Sequence, residues 1–308
     1  MSEITASLVK QLREQTGVGM MDCKRALTET AGDIDKAIDW LRRKGLASAA
    51  KKAGRVASEG LIAVAVDSSV GALVEVNAET DFVARNDEFQ NFARSVANLA
   101  VSVNGDLDRL KTSKFSADGI AVSEELIAMV GRIGENMVLR RSCALSVKEG
   151  VVASYIHNSV GTGLGKIGVL VGLESTGDPK NLNELGRKIA MHVCAARPEA
   201  IDRDSLDPSS LQRERDVLIE QAKTSGKPVE IIEKMVDGRL RKYYEEVVLG
   251  EQIYVIDGEN KVNKVIELAS KEINSPIRIS GFKRFELGEG IEKREENFAT
   301  EVAAQVEK

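Results

Sequence analysis

The chain has 308 residues, enough for two or three domains, and its 43% hydrophobic content is ordinary for a globular protein. Its 43 basic and 48 acidic side chains give a net charge of -5, which provides no broad positive field for a phosphate backbone, so nucleic acid is not expected as a direct ligand. The start lacks a secretory pattern, and no stretch approaches the roughly 18 apolar residues of a membrane span. We therefore expect a cytoplasmic protein without membrane contact.

Residues 1–54 predict a small bundle of three helices, with Thr5 as a candidate cap for the first. The apolar positions at helical spacing are Leu8 and Leu12, then Met21, Ala26 and Leu27, then Ile34, Ala37, Ile38 and Leu41. The glycine turn at 16–21 follows a helix and lacks the third glycine of a dinucleotide fingerprint, so it does not indicate a nucleotide site. Residues 42–58 carry many basic side chains without apolar periodicity, which predicts a linker.

An alternating segment, 73–77, predicts a strand that runs into a short loop containing Phe82. Asn86, followed by an acidic first turn, predicts the cap of the next helix. Leaving a phenyl ring in water costs about 1.5 to 3 kcal/mol relative to burial, so Phe82 must pack either into the core or against a partner. A hydrophobic staple does not explain the ring, because Arg85 and Gln90 occupy the staple positions.

An internal repeat of hairpin and helix organises the middle of the chain. Residues 60–76 with the helix around 89–99 resemble residues 150–173 with the helix around 182–193, so we expect two subdomains, each a small antiparallel sheet covered on one face by helices. Between them, residues 126–141 predict a further helix and strand. The glycine-rich segment 161–166 lacks the flanking residues of a P-loop and aligns with the hairpin turn at 67–70, which predicts a plain turn.

Residues 206–248 predict two charged helices around a Gly-Lys-Pro turn, forming an antiparallel hairpin. Its apolar stripe is narrow, so we expect it to protrude without a core of its own. The tail predicts a strand at 277–285 and a helix around 298–302.

The histidines and cysteines of the sequence give little support to a catalytic function. The two histidines, His157 and His192, have no metal-ligand partner or nucleophile motif at useful spacing, and His192 fits the edge of a core. Cys23, Cys143 and Cys194 form an odd set without a C-x-x-C pair, which predicts reduced thiols. A scaffold would explain only the hairpin and the bundle, and a nucleotide-dependent enzyme only the glycine segments.

Five separated motifs, in order, resemble those of the bacterial translation elongation factor Ts family. They are residues 12–27 (LREQTGVGMMDCKRAL) and 80–85 (TDFVAR), together with the later segments 189–193, 225–228 with 233–236, and 288–293. The resemblance covers essentially the whole chain. It implies an α+β protein with a ubiquitin-associated-like bundle at 1–54, two sheet subdomains at 55–145 and at 146–205 with 249–287, a coiled-coil hairpin at 206–248 and a C-terminal module at 288–308.

The resemblance also implies a function and a set of contact residues. It implies a guanine-nucleotide exchange factor that binds GDP-bound elongation factor Tu and acts without chemical catalysis, cofactor or metal. A loop of Thr80, Asp81, Phe82 and Val83 is implied to dislocate Mg²⁺ from the GTPase. Further contacts are implied for Met20, Met21, Lys24, His157, Met235 and Val236. The hairpin is implied to serve self-association, as a homodimer or larger complex, or partner contact.

The alternative function, from the residues alone, is a coiled-coil scaffold or adaptor with a peptide-binding helical bundle.

Overall fold

The computed structural model describes residues 4–115, 119–223 and 228–292, an α+β arrangement of helices around two small antiparallel sheets. The α-helices are α1 (Ala6–Thr16), α2 (Met20–Glu29), α3 (Ile34–Lys52), α4 (Asp87–Ser102), α5 (Leu107–Thr112), α6 (Val122–Ile133), α7 (Pro179–Ala196), α8 (Pro208–Lys223), α9 (Val229–Val247) and α10 (Val262–Glu272). The strands are β1 (Glu59–Asp67), β2 (Val70–Ala78), β3 (Met137–Ser146), β4 (Gly150–His157), β5 (Leu164–Gly165), β6 (Ile167–Glu174) and β7 (Arg278–Glu286). The expected helix around 298–302 lies outside the described residues.

The first three helices form the expected bundle around a small apolar core that includes Leu12, Leu27 and Leu41. Thr5 caps α1 by accepting a hydrogen bond from the N–H of Leu8, as predicted. The prediction of a linker at 42–58 is wrong for its first part, because α3 continues as a helix to Lys52. Alanine, lysine and arginine are strong helix formers, and this half of α3 packs against α6 instead of crossing solvent.

The structure contains two small antiparallel sheets, and the hairpins predicted as a repeat lie in different sheets. In the N-sheet the strand order is β3-β2-β1-β5, and in the C-sheet it is β4-β6-β7. The first strand of each hairpin has a glycine at positive φ within its first two residues, Gly60 at 121° and Gly150 at 130°. A Cβ there would lie 2.2 Å from the carbonyl oxygen of Val76 and 2.0 Å from that of Leu173, respectively. Only glycine fits at either position, which explains why the residue recurs in both units.

Each sheet packs helices on one face and the other sheet on its second face. The helix-covered faces bury Leu61 and Val74 against α4, and Val169 and Val171 against α7 and α10. The other faces meet in a separate core, which includes Ile62, Leu73, Val147, Val152 and Leu170. The sequence predicted the helix-covered faces, whereas the direct contact between the sheets was not predicted.

Two equivalent glycines sit in this contact between the sheets. A Cβ on Gly71 would lie 2.9 Å from side-chain carbons of Val152 and Leu170. A Cβ on Gly168 would lie 2.6 Å from Ile62 and 2.8 Å from Leu73, the residues that correspond to Val152 and Leu170 in the repeat. The contact is therefore self-complementary, like an isologous dimer interface formed within one chain.

The segment 161–166 is a turn, but it is not the plain turn that the alignment predicted. Leu164 and Gly165 form β5, which pairs with Ala63 and Ile62 at the edge of the N-sheet. The connection between β4 and β6 therefore adds a strand from the second repeat to the sheet of the first.

A buried carboxylate in the N-sheet holds the end of β7 and the residues after it. Glu75, fully buried, lies at a bulge where Arg140 is the extra residue on β3. Neighbouring side chains of a regular strand point to opposite faces, but the bulge lets Arg140 and Arg141 both donate to Glu75. The N–H of Gly288 donates to the same carboxylate at 2.8 Å. Arg141 also donates to the carbonyl of Glu286 at 2.8 Å, so the cluster fixes the chain after β7 on the N-sheet.

Helices α8 and α9 form the expected antiparallel hairpin. The expectation that it lacks a core is wrong, because Leu218, Ala222, Val236 and Leu240 are buried in a seam between the two helices. The turn residues 224–227 lie outside the described residues. Beyond this seam, the hairpin contacts the rest of the described chain mainly where α9 meets residues 249–251, which agrees with a protruding arm.

His192, on α7, lies fully inside the C-sheet subdomain. Its Nδ1 accepts the N–H of Val255 at 3.2 Å, which leaves the proton on Nε2 to donate to Gln252 at 2.8 Å. The amide of Gln252 is oriented by its own donations to the carbonyls of Ala196 and Glu246. His192 is therefore neutral and joins α7 to the base of the hairpin, a structural position as the sequence suggested.

The sheet contact predicts the effect of adding one methyl group. Gly168→Ala should lower the free energy of unfolding by about 1 to 3 kcal/mol, because the new carbon overlaps Ile62 and Leu73. Chemical denaturation followed by circular dichroism measures this. Gly161→Ala is the matched control, since its nearest neighbour would lie at 3.7 Å. Equal stabilities of the two variants would contradict the close contact.

The buried imidazole predicts a loss of stability in acid. Burial lowers the pKa of His192 in the folded state, so below the ordinary value near 6.5 the unfolded chain takes up a proton that the folded chain resists. Stability should therefore fall as the pH drops from about 7 to 5, by at most about 1.4 kcal/mol per pH unit for this one group. His192→Gln should reduce this slope in denaturation titrations and His157→Gln should preserve it. The same slope in both variants would show that His192 is not the titrating group.

Candidate functional site

The loop between β2 and α4 presents an apolar ring to solvent. Phe82 is 75% exposed, the largest exposed fraction among the large hydrophobic side chains of the described residues. The sequence left two alternatives for this ring, the core or a partner, and the structure excludes the core. Exposure of a phenyl ring to water is unfavourable in free energy, and burial against another protein surface would remove this penalty.

The backbone that follows Phe82 is anchored in the N-sheet subdomain. Val83 and Ala84 are buried in the core under α4, in a short 3₁₀ turn that ends at Arg85. Gln90 of α4 donates from Nε2 to the carbonyl of Ala84 at 3.0 Å. Asn86 caps α4 through the N–H of Phe89, as predicted. Val83 is thus an anchor of the loop, not an exposed member of it.

The backbone that precedes Phe82 is held by a carboxylate from another element. Glu135, in the turn after α6, accepts the N–H of Thr80 at 2.9 Å and its hydroxyl at 2.7 Å. Asp81 stays exposed, and its ion pair with Arg85 is long at 3.8 Å. Such exposed ion pairs contribute little to stability, so breaking this pair to let the Asp81 carboxylate bind a partner costs little free energy. Asp81 and Phe82 are therefore the two projecting residues of the loop.

The helical bundle presents a second exposed apolar surface. Met20 is 54% and Met21 74% exposed, and Lys24, one turn further along α2, is exposed beside them. The helical spacing placed Met21 with Ala26 and Leu27 among the apolar positions of the bundle, but the buried face of α2 is formed by Cys23, Ala26 and Leu27 without it. Flexible, exposed methionines suit an adaptable contact with another protein.

His157 lies exposed at the end of β4, where its Nδ1 is 3.1 Å from the hydroxyl of Tyr155. The loop that follows it approaches α4, because a methyl group at Gly161 would lie 3.7 Å from Gln90 Oε1. Gln90 therefore lies close to this loop and bonds to the Phe82 loop. The contacts of Gln90 and Glu135 with the Phe82 loop were not predicted; Glu135 lies 55 residues from Thr80, and no local pattern indicates such a contact.

The two hairpin residues expected at an interface differ in exposure. Met235 is half-buried on α9, whereas Val236 is only 2% exposed because it fills the seam with α8. A partner cannot reach Val236 while the hairpin is folded, so its expected direct contact is corrected to a supporting position.

Two kinds of reactive group, a metal-binding cluster and a Cys143 thiolate, are not found in the described residues. Within residues 4–115, 119–223 and 228–292, no group of three or more His, Cys, Asp or Glu is arranged to hold a metal ion. Burial raises the pKa of the Cys143 thiol to about 11, so it is not a thiolate at neutral pH. In the same part of the chain, no helix combines the length and apolar character needed to cross a membrane. What the site offers is an apolar ring and a carboxylate on a fixed loop.

Comparison with known proteins gives one consistent result. The family model described as Elongation factor TS matches residues 79–289. Proteins named Elongation factor Ts are similar over nearly their whole length: that of Rhodospirillum rubrum is 62% identical, covering 100% of both chains, and that of Rhodospirillum centenum is 60% identical, covering 99% of both. The protein of the same name from Rhizobium leguminosarum bv. trifolii is 55% identical over 99% of both chains.

Proposed function

This chain belongs to the elongation factor Ts family, and we propose that its Phe82 loop performs the exchange step of that family's function. The chain acts as a guanine-nucleotide exchange factor for elongation factor Tu: it binds the GDP-bound GTPase and promotes the replacement of GDP by GTP during translation elongation. Exchange of this kind breaks no covalent bond. The protein lowers the affinity of another protein for its ligand and is not a catalyst of chemistry.

The exposed ring of Phe82 on an anchored backbone is the observation that carries the proposal. The buried residues Val83 and Ala84 on one side and the Thr80 contact on the other support a preformed conformation. A preformed loop loses little conformational freedom on binding, so more of the burial energy of the ring is available to the complex. We propose that Phe82 inserts between helices of elongation factor Tu, with the Asp81 carboxylate beside it.

The proposed effect on the GTPase is the dislocation of Mg²⁺. Insertion of Phe82 would disturb the segment that supports the ion, and the charge of Asp81 would act on the same region. Linkage requires that GDP weaken the binding of the exchange factor by the same factor by which the exchange factor weakens GDP. A ten-thousand-fold effect needs about 5.5 kcal/mol of differential contact energy. A buried aromatic anchor supplies about 2 to 4 kcal/mol of this, so the remaining contacts must also favour the GDP-poor conformation.

Further contacts would set affinity. We propose that Met20, Met21 and Lys24 bind the GTPase from the bundle, and that His157 contacts it from the end of β4. Met235, held by Val236 behind it, would act from the hairpin. Val217 and Ile231 are about half exposed on the same hairpin, and we assign self-association or partner contact to that surface.

These assignments follow the domain limits inferred from the sequence, which we retain as a proposal. The limits are 1–54 for the ubiquitin-associated-like bundle, 55–145 and 146–205 with 249–287 for the two sheet subdomains, 206–248 for the hairpin, and 288–308 for the C-terminal module.

The loop proposal predicts a separation of stability from activity. Phe82→Ala should melt within about a degree of the wild type, because the ring is exposed, yet slow GDP release from elongation factor Tu by about tenfold or more. The release of a fluorescent GDP analogue in a stopped-flow instrument and a melting curve on the same sample measure both quantities.

Two control variants, one at an exposed and one at a buried apolar residue, are compared with Phe82→Ala. Leu268→Ala removes another exposed apolar side chain, on α10, and should leave release unchanged. Phe92→Ala removes a buried phenyl ring of α4 and should cost about 3 to 5 kcal/mol of stability. If Phe82→Ala behaved like Phe92→Ala, the loop would be a core element and the proposal would be wrong.

A further inference from the structure

Two chain segments far apart in sequence exchange hydrogen bonds next to the Phe82 loop. Thr80 donates twice to Glu135, while Glu79 accepts the N–H of Asn136 at 2.5 Å. Asn136 also donates from Nδ2 to the carbonyl of Arg55 at 2.8 Å. The turn after α6 therefore binds the chain directly after β2, where the backbone of Thr80 has no strand partner.

We propose that Glu135 is a positioning residue for nucleotide exchange, which fixes the direction in which Asp81 and Phe82 project. This inference rests on the proposed role of Phe82. Only two residues separate the anchor at Thr80 from the buried Val83, so the position of Thr80 determines how far the ring can turn away from its partner. A carboxylate suits this role because its two oxygens accept the backbone and the hydroxyl of one residue at once.

The same turn joins the loop to the helical bundle. The backbones of α6 and α3 approach closely, since a Cβ on Gly131 would lie 3.1 Å from the Cα of Gly45. An ion pair of 3.0 Å between Arg42 and Glu124 closes the other end of this contact. Only Gly134 separates Glu135 from the end of α6, so the helix that packs against the bundle also positions the residue that holds the loop. The exposed methionines of α2 and Phe82 are thus held in one arrangement, which gives two contacts on the same partner without the entropy cost of a flexible linker.

Variants at Glu135 test the proposal, with GDP release from elongation factor Tu as the readout. Glu135→Ala removes both acceptors and should slow release by about tenfold, the loss expected for Phe82→Ala, because the ring is then no longer held in its projecting position. Glu135→Gln should restore most of the rate, because its amide oxygen can accept the N–H of Thr80 and its NH₂ group can donate to the hydroxyl. Glu184→Ala, which removes an exposed glutamate of α7, should match the wild type.

A double-mutant cycle distinguishes positioning from a general structural effect. If Glu135 acts through the ring, Glu135→Ala should slow release in the wild type but cause no further slowing in the Phe82→Ala background. Independent, multiplying effects would overturn the proposal, as would a Glu135→Ala rate equal to the wild type when Phe82→Ala is slow. If Phe82→Ala itself has no effect, the proposed function of the loop fails, and a slow Glu135→Ala would then exclude action through Phe82.

A milder variant keeps the test valid if Glu135→Ala does not fold. Thr80→Val removes only the hydroxyl bond and replaces it with a methyl group of similar size. It should slow release by a few-fold, with the backbone bond to Glu135 intact, and this effect should also vanish in the Phe82→Ala background. A wild-type rate of GDP release with Thr80→Val would contradict the proposed role of the contact between Thr80 and Glu135.

Discussion

The direct packing of the two sheets is the constraint on which the rest of the structure depends. Gly71 and Gly168 occupy equivalent positions in the repeat, and each leaves room for side chains of the opposite sheet. Helices cover the outer face of each sheet, so both subdomains contribute to a continuous packed body. The Phe82 loop, the end of β4 and the hairpin all extend from this body. An inserted side chain can displace parts of another protein only if the structure that supports it does not deform. Close-packed cores provide that rigidity.

The two repeats differ at the Glu75 position and in the segments that follow β2 and β6. Glu75 and Gly172 precede equivalent bulges, yet only the first position carries a carboxylate, and it binds Arg140, Arg141 and the chain after β7. Removing one member of such a buried ionic cluster costs about 3 to 5 kcal/mol, so it is costly to lose even if it adds little net stability. After β2 the chain exposes Phe82, whereas after β6 the hydroxyls of Ser175 and Thr176 bond to Ser275. The same scaffold therefore supports an exposed loop in one copy and a closed turn in the other.

Local patterns in the sequence identified the helix caps, both hairpins and the strand after α6, because these depend on residues close in the chain. Other features were missed or wrong, among them four that depend on contacts outside the local pattern. The second half of α3 has no apolar stripe; its backbone approaches α6 closely at Gly45, and Ala49 packs against the core. The methionines of α2 are exposed because smaller residues fill the bundle core. Strand β5 pairs across the repeat, and Glu135 reaches Thr80 from another element.

For the candidate site, motif resemblance supplied the loop residues, and only the structure distinguished the exposed Phe82 from the buried Val83 and Val236.

The central claim is that Phe82 accelerates exchange by weakening the support of Mg²⁺ in elongation factor Tu. The most direct measurement compares the rate of GDP release stimulated by the wild type and by Phe82→Ala, in excess Mg²⁺ and again in excess chelator. Chelation removes the ion on which the ring is proposed to act. The two proteins should therefore differ by about tenfold or more in Mg²⁺ and converge in chelator. An equal loss of rate under both conditions would contradict the account, because Phe82 would then act on the nucleotide by a route independent of the metal.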